Sequence, residues 1–598
     1  MPGGHALVIE DGLAYYAIVM ECHAPPSGAR GTVRSTGVHS GYGGDMLHTE
    51  FLLAQRPGIT NARGAKEWVK ELPITDARAA HHALAGMIAE FEDSPLPALD
   101  RLEILETLRG HIAEIDKLYA ARYAAKALPL GPGERNAFDH AKRLWLRLED
   151  AYWRCAQAAM TDEGAMAPHL ALCLARAAGM ATNAIAGHVR AGQAFDFAGF
   201  DTLQRYYEAA QRHGVLATPV NDSLHPKRNT NVAAIYRRAL LIKQGAGCAS
   251  GRERECVIEL AELWEGKTSM SWLPVSSERL LSRNDLPPAP DGVKQCVKVI
   301  HAGRWMHMMD VTLVSRSLRR RLHKINLGAK LEELRLPESF NHAGADELLK
   351  RLHSAWCEEA NGRVHMRLAA KPGAAHGNRI ALAHAGNDFT VLYYMATGEP
   401  FVTEEQKDPM MSRRHAEEIF MFQHSARAKV DARGDEAAKQ FEDWEMLDES
   451  ASGFRLRREG PGVRFRRGQL VALRLAPNGA VLLAEVRWLT EPEHSAEGGP
   501  DAPGTVEAGL QILHGKLSGI SMRPTGINAQ GGRQYCPAFM LKVNQSGESG
   551  FRVVVPAGWF KPRRVVEARE NESTYRLMFE KLLHRGADFE IVEAYMTH

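Results

Sequence analysis

Two hydrophobic rhythms divide this chain. Between residues 76 and 265 apolar side chains recur at three-and-four spacing, as in Leu102, Leu105, Ile112, Ile115 and Leu118. That spacing lines one face of an α-helix. It predicts helices over Ala77–Glu92, Leu99–Leu128, Glu134–Met160, His169–Gly192, Phe200–His213 and Asn231–Gln244, with Pro95, Pro97, Pro132, Pro168 and Pro219 at or near the breaks. The helix starts recur at roughly 32 to 35 residues, which admits a helical repeat as well as an irregular bundle. No shared signature recurs from unit to unit, which favours the bundle.

After residue 440 the rhythm changes to alternation. Val471, Leu473 and Leu475 alternate with Ala472 and Arg474, and Val481–Leu489 is a denser apolar run. Pro477-Asn478-Gly479 separates the two as a hairpin turn does. Further strands are predicted at Ala538–Val543, Phe551–Pro556, Arg563–Glu567 and Phe589–Tyr595, with Ser573–His584 ambiguous. Between the two regimes, Val297–His301 and Met306–Val314 read as strands. Ser315–Lys324 reads as a helix carrying Arg316, Arg319, Arg320 and Lys324 on one face. Such a face is solvated or meets an acidic partner or nucleic acid. Arg363–Ala369, Arg379–His384 and Phe389–Ala396 read as a β-meander leading into the later strands.

The fold class is therefore multidomain α+β. A mixed segment (1–75) precedes a helical bundle or helical repeat (76–268), an α/β region (269–400), an antiparallel β-barrel (401–515) and a second β-rich module (516–598). A length of 598 residues suits roughly three to five domains.

Composition narrows the setting. Hydrophobic residues make up 45% and charged residues 24%, and the net charge of +2 gives no whole-chain electrostatic case for nucleic acid. No uninterrupted apolar run reaches the eighteen or so residues of a membrane span, and the first residues lack a secretion-signal layout. The eight cysteines, at 22, 155, 173, 248, 256, 296, 357 and 536, include no C-x-x-C pair. Reduced thiols in a cytoplasm follow, with neither zinc nor redox chemistry indicated.

Candidate chemistry is sparse. Gly37-x-x-x-Gly41-x-Gly43-Gly44 follows no clear strand and opens no clear helix, so it reads as a loop. Ala261 to Thr268, ending Gly266-Lys267-Thr268, fits a loosened phosphate-loop pattern. However, Val257–Trp264 reads as a helix, and Leu263 and Trp264 stand where small residues belong. A helix end is the better reading. No catalytic constellation or cofactor motif stands out, so an enzyme is not expected.

One stretch carries more. Asp448-x-Ser450-x-x-Gly453 precedes a Gly468-led strand ending at Leu475, then Val486-Arg487-Trp488-Leu489, then Gly509-Leu510-Gln511-Ile512. Alone, the Asp/Ser/Gly corner is also an Asx turn. In this order the pieces resemble the second half of a PilZ domain, over about seventy residues. That resemblance implies a six-stranded barrel binding the bacterial second messenger cyclic di-GMP, with the corner at Asp448, Ser450 and Gly453 on a guanine. It also implies an upstream R-x-x-x-R around the phosphates. Between 401 and 447 no two arginines are four apart; Arg413, Arg414, Arg427 and Arg433 stand there instead. Arginine suits the task because its planar fork grips phosphate in two places and stacks on bases.

The expectation is a cytoplasmic bacterial cyclic di-GMP receptor that binds the nucleotide through these residues and a protein partner through its helical region. It needs no cofactor and has neither a nucleic-acid partner nor a membrane span. The alternatives are a docking scaffold whose barrel has lost its ligand and a nucleotide hydrolase using Gly266-Lys267-Thr268.

Overall fold

The structure is a computed structural model. It describes residues 6–9, 13–16, 59–358 apart from short gaps (95, 162–163, 195–197, 226, 278–280, 289–293 and 343), 368–369, 379–383, 389–398, 401, 441–475, 480–491, 505–525, 535–542, 551–570 and 573–597. Strands β1 (Ala6–Ile9) and β2 (Leu13–Tyr16) form an antiparallel pair. The glycine loop at 37–44 and the segment Glu50–Leu53 lie outside the described residues.

The helical body comprises α1 (Ala62–Val69), α2 (Ala77–Asp93), α3 (Ala98–Ala120), α4 (Pro132–Thr161), α5 (Leu170–Ala191) and α6 (Ala198–Arg212). After the two-residue strands β3 (Val220–Asn221) and β4 (Asn229–Thr230) come α7 (Val232–Ala246) and α8 (Glu253–Trp264). Local chemistry sets several starts. Asn61, Asp76 and Asn231 each accept a hydrogen bond from a first-turn N–H, at 2.8 to 3.0 Å for the shortest, as N-caps do. Gly192 ends α5 in the left-handed region at φ 73°.

Helix α5 is the hub. It is apolar enough to cross a membrane by length and composition, yet 78% of the relevant window is buried by its own neighbours. A helix that is hydrophobic all round belongs at the centre of a body this size. Its Arg176, almost fully buried, donates to both oxygens of Glu106 at 2.8 and 2.9 Å and to Asp222 at 3.2 Å. Arg109 adds a 2.7 Å bond to the same Asp222.

A three-stranded antiparallel sheet follows in the order β5 (Ser269–Pro274), β7 (Trp305–Asp310), β6 (Val297–Ala302). Helices α9 (Thr312–Asn326) and α10 (Ala345–Cys357) come next. The predicted strand Met306–Val314 stops early. Asp310 Oδ1 accepts from the Thr312 N–H at 2.8 Å and turns the chain into α9.

The C-terminal third holds two rings of antiparallel strands. The first is built from β9 (Arg379–Ala383), β10 (Phe441–Ser450), β11 (Gly453–Arg458), β12 (Leu470–Arg474), β13 (Val481–Thr490) and β14 (Val506–Ile512). Pairing runs β11-β14-β13-β12-β9-β10 and returns from β10 to β11, while β8 (Leu368–Ala369) adds to β10. The predicted β-meander is thus corrected. Strands β8 and β9 both pair with β10, and Phe389–Thr397 is a helix, α11. That segment is rich in β-formers, but Phe389, Leu392 and Met395 form a helical face buried between the rings, and this burial overrides propensity.

The second ring closes in the order β15 (Lys516–Pro524), β16 (Cys536–Lys542), β17 (Phe551–Pro556), β20 (Phe589–Thr597), β19 (Ser573–Arg585), β18 (Val565–Glu570). The ambiguous segment at 573–584 is its longest strand, with two bulges. Those bulges interrupt the alternation that would have announced it.

Two joints hold the parts together. Between helices and first ring, Tyr119, Tyr123, Leu130 and Phe138 share one core with Trp444, Phe454, Leu456 and Phe465. Glu491, with a fully buried side chain, ion-pairs Arg135 and accepts from Gln193 Nε2 at 2.7 Å and from the Leu130 N–H at 3.2 Å. Between the rings, Asp588 Oδ1 accepts from the Leu470 N–H at 2.9 Å, and burial pushes its carboxyl up to about 7.

Two predictions follow from these joints. Glu491→Ala strands Arg135 beside the core and is expected to destabilise by about 3–5 kcal/mol in chemical denaturation. Asp588 has a folded pKa raised above its unfolded value of 3.8, so stability falls as pH rises between the two values. Asp588→Asn keeps the acceptor for Leu470 and should stabilise the protein by on the order of a few kcal/mol at pH 8. The gain should vanish below about pH 4, as read by melting temperature across pH.

Candidate functional site

The Asp448 to Gly453 corner is the hairpin joining β10 to β11. Ser450 Oγ donates to the Gly453 carbonyl at 3.2 Å and lies 3.4 Å from Ser452 Oγ, so the serine closes the turn on itself. Gly453 is required by space. A Cβ there would lie 1.9 Å from the Leu510 carbonyl oxygen of β14, well inside van der Waals contact.

Register then sets out a row across the sheet. Asp448 opposes Arg455, Arg455 opposes Gly509, and Gly509 opposes Trp488. Directly opposed residues share a face, so the carboxylate, the guanidinium and the indole lie along one side. Gly509 makes this possible, because a Cβ would sit 1.9 Å from Trp488 Nε1. Arg455 Nη1 stands 4.0 Å from Asp448 Oδ2 while its Nη2 donates to Glu507 at 2.7 Å. Arg457 donates to the other oxygen of Glu507, also at 2.7 Å. Burial works against the Glu507 charge, yet the two arginines hold its carboxyl below the ordinary range.

Sequence reading singled out Asp448, Ser450 and Gly453, and the structure brings the three into one hairpin. Arg413, Arg414, Arg427 and Arg433 lie outside the described residues. Arg455, Arg457 and Glu507 were missed. Their signal was the alternation Phe454-Arg455-Leu456-Arg457, which marks a strand with a basic outer face.

A second omission matters more. The R-x-x-x-R spacing absent from 401–447 occurs at Arg363-Val364-His365-Met366-Arg367. These five residues lie outside the described ones. The next two, Leu368 and Ala369, are β8, and they oppose Glu449 and Asp448. One peptide bond therefore separates the motif from a strand registered on the Asp448 corner. A spacing rule searched only just ahead of the corner cannot find a motif that strand pairing returns from farther upstream.

The phosphate-loop pattern at Lys267 is a helix end, as its context indicates. Helix α8 runs into a 3-10 turn at Glu265–Lys267 and the chain leaves as β5, the reverse of a strand-loop-helix order. Thr268 Oγ donates to the Glu265 carbonyl at 2.9 Å. Among the described residues, no group of three or more His, Cys, Asp or Glu side chains is placed to hold a metal ion.

Comparison with known proteins adds one finding. Residues 63–271 match a family model described as the N-terminal domain of the cyclic-di-GMP receptor FimW. That match spans α1 through α8 into β5 and covers about a third of the chain. It stops short of the two rings of strands. Nothing among curated proteins or solved structures matches the chain.

The close approach at Gly453 gives a stability prediction. Gly453→Ala forces β11 away from β14 and should destabilise the first ring by about 1–3 kcal/mol, read as a lower denaturation midpoint. Ser452→Ala, in the same turn and half-buried, keeps the backbone bond from the Ile512 N–H and should change it by less than about 0.5 kcal/mol.

Proposed function

We propose that this protein is a cyclic di-GMP receptor whose first ring is a PilZ-like module and whose helical body carries the response to a protein partner. Two separate stretches support this reading. The family match falls on the helices, and the likeness to a nucleotide-binding barrel falls on residues 448–512. The observation that carries it is the register of β8 on β10, which sets Leu368 and Ala369, the residues that follow Arg363-x-x-x-Arg367 in the sequence, opposite Glu449 and Asp448.

The chemistry suits the ligand. A carboxylate at Asp448 accepts from the N–H groups on a guanine edge, while the Trp488 indole in the same row offers a stacking surface. Arginine forks supply charge-assisted bonds to the two phosphates. In this reading binding is passed on through the shared core. Trp444, Phe454 and Leu456 belong to β10 and β11, and they pack with Tyr123 and Phe138 of the helical body. A ligand that draws the hairpin towards itself thereby acts on the helices.

Isothermal titration of the full chain with cyclic di-GMP tests the proposal. Saturable heat is expected with the natural sequence. Arg363→Ala, Arg367→Ala and Asp448→Ala should each weaken binding by about tenfold or more, at 1.5–3 kcal/mol per charged hydrogen bond. Arg413→Ala, Arg414→Ala, Arg427→Ala and Arg433→Ala decide whether the later arginines share the task. No heat with the natural sequence would leave a docking scaffold as the function.

A further inference from the structure

Away from the rings, a cavity of about 670 Å³ opens between α9 and the 3-10 turn that follows it. One full face of α9 lines it: Leu313, Arg316, Ser317, Arg320, Arg321 and Lys324, three and four apart. Lys267 enters from the end of α8, and Glu333 and Arg335 from the facing turn. Arg319, predicted to share the α9 face, instead donates to His353 Nε2 at 3.1 Å.

The charge balance is lopsided. Six cations line this cavity, Lys267, Arg316, Arg320, Arg321, Lys324 and Arg335, against the single carboxylate of Glu333. Elsewhere in the helical body several deep cations take carboxylates: Arg176 takes Glu106, Arg190 takes Glu255 and Arg351 takes Glu253. Here the anchors are neutral. Lys267 Nζ donates to Ser317 Oγ at 3.0 Å, and Arg321 donates to Ser317 Oγ at 2.6 Å and to the Leu334 carbonyl at 3.1 Å. No ion pair joins any of the six to a described carboxylate.

Lys267 and Arg321 are anchored, while Arg316, Arg320, Lys324 and Arg335 are exposed. Lys267 Nζ and Arg321 Cζ lie 4.9 and 5.2 Å from the centre of the Trp264 ring, itself fully buried beneath them. Arg335 is held in the left-handed region at φ 51°, a conformation that a non-glycine residue adopts at a cost. Burial, then Arg321 and Lys227, pulls the Lys267 ammonium down to about 8. Burial and Arg320 likewise lower Arg321. Six like charges thus share one concavity with a single carboxylate, Glu333, and a concavity focuses the field.

We propose that this cavity is a binding site for a compact polyphosphate anion, either free or as the tail of a nucleotide. The volume falls in the range of small-ligand pockets, and guanidinium forks are the groups that grip phosphate oxygens in pairs. None of the described residues lining the cavity is aromatic, so the phosphates are recognised and a base is not. This site is separate from the Asp448 hairpin and does not depend on the cyclic di-GMP reading.

The test is calorimetric titration of the full chain, at low and at physiological salt, with inorganic phosphate, pyrophosphate, triphosphate and GTP. Affinity should rise with the number of phosphates, and GTP should bind like triphosphate if the tail alone is read. Arg320→Glu should weaken triphosphate binding by at least about tenfold, a loss of 1.4 kcal/mol or more. Arg319→Glu, the same charge change one residue away and off the cavity, should leave it within about twofold. Melting temperature checks that both variants fold. Absence of saturable triphosphate binding at low salt overturns the proposal, and so does an equal loss in the two variants. Binding of duplex DNA that triphosphate fails to displace also overturns it, in favour of a nucleic-acid surface.

Discussion

A single carboxylate sits where the two halves of this protein meet. Glu491, at the end of β13, is sealed from water and depends on Arg135, Gln193 and the Leu130 N–H, all from the helical body. A buried charge is tolerated only when it is paired and fully hydrogen-bonded. The ring and the helices therefore have to dock in one orientation for Glu491 to be satisfied at all. The aromatic cluster around Trp444 and Phe138 supplies apolar burial at the same joint, and burial is non-directional. The carboxylate supplies the direction.

The same logic applies between the rings, with a different balance. There Asp588 has one backbone partner from Leu470, while its second oxygen has none among the described atoms. Helix α11 fills the space alongside, packing Phe389 and Leu392 against Leu470 and Phe539. One joint is thus fixed by a satisfied charge and the other by a wedge of apolar side chains. The first of the two shares its core with Trp444, Phe454 and Leu456 of β10 and β11.

Much of this was legible in the sequence, for physical reasons that differ by region. The helices announced themselves because an amphipathic stripe repeats locally, and α2, α4 and α5 lie close to where the spacing put them. Strands β12 to β14 followed from alternation and turn residues. Helix α11 was misread, since Phe389-Thr390-Val391-Leu392-Tyr393-Tyr394 has strand propensity and only its surroundings make it helical. The corner at Asp448, Ser450 and Gly453 was found because its chemistry is contiguous. The Arg363-Arg367 spacing was overlooked because strand pairing over a long connection leaves no local trace. The α9 face was read as basic, but no pattern in the chain could show that Lys267 and Arg335 join it.

Ring closure has a consequence for how any second protein engages the C-terminal third. In both rings every described strand already has a neighbour on either side, so no described strand of either ring is a free edge along its whole length. The two residues of β8 are too short to recruit another chain's backbone. Recognition by strand donation, which many sheet proteins use, therefore finds little open edge among the described strands, which favours complexes made side chain to side chain. Such contacts can form and dissolve without disturbing the hydrogen bonds that hold each cylinder together.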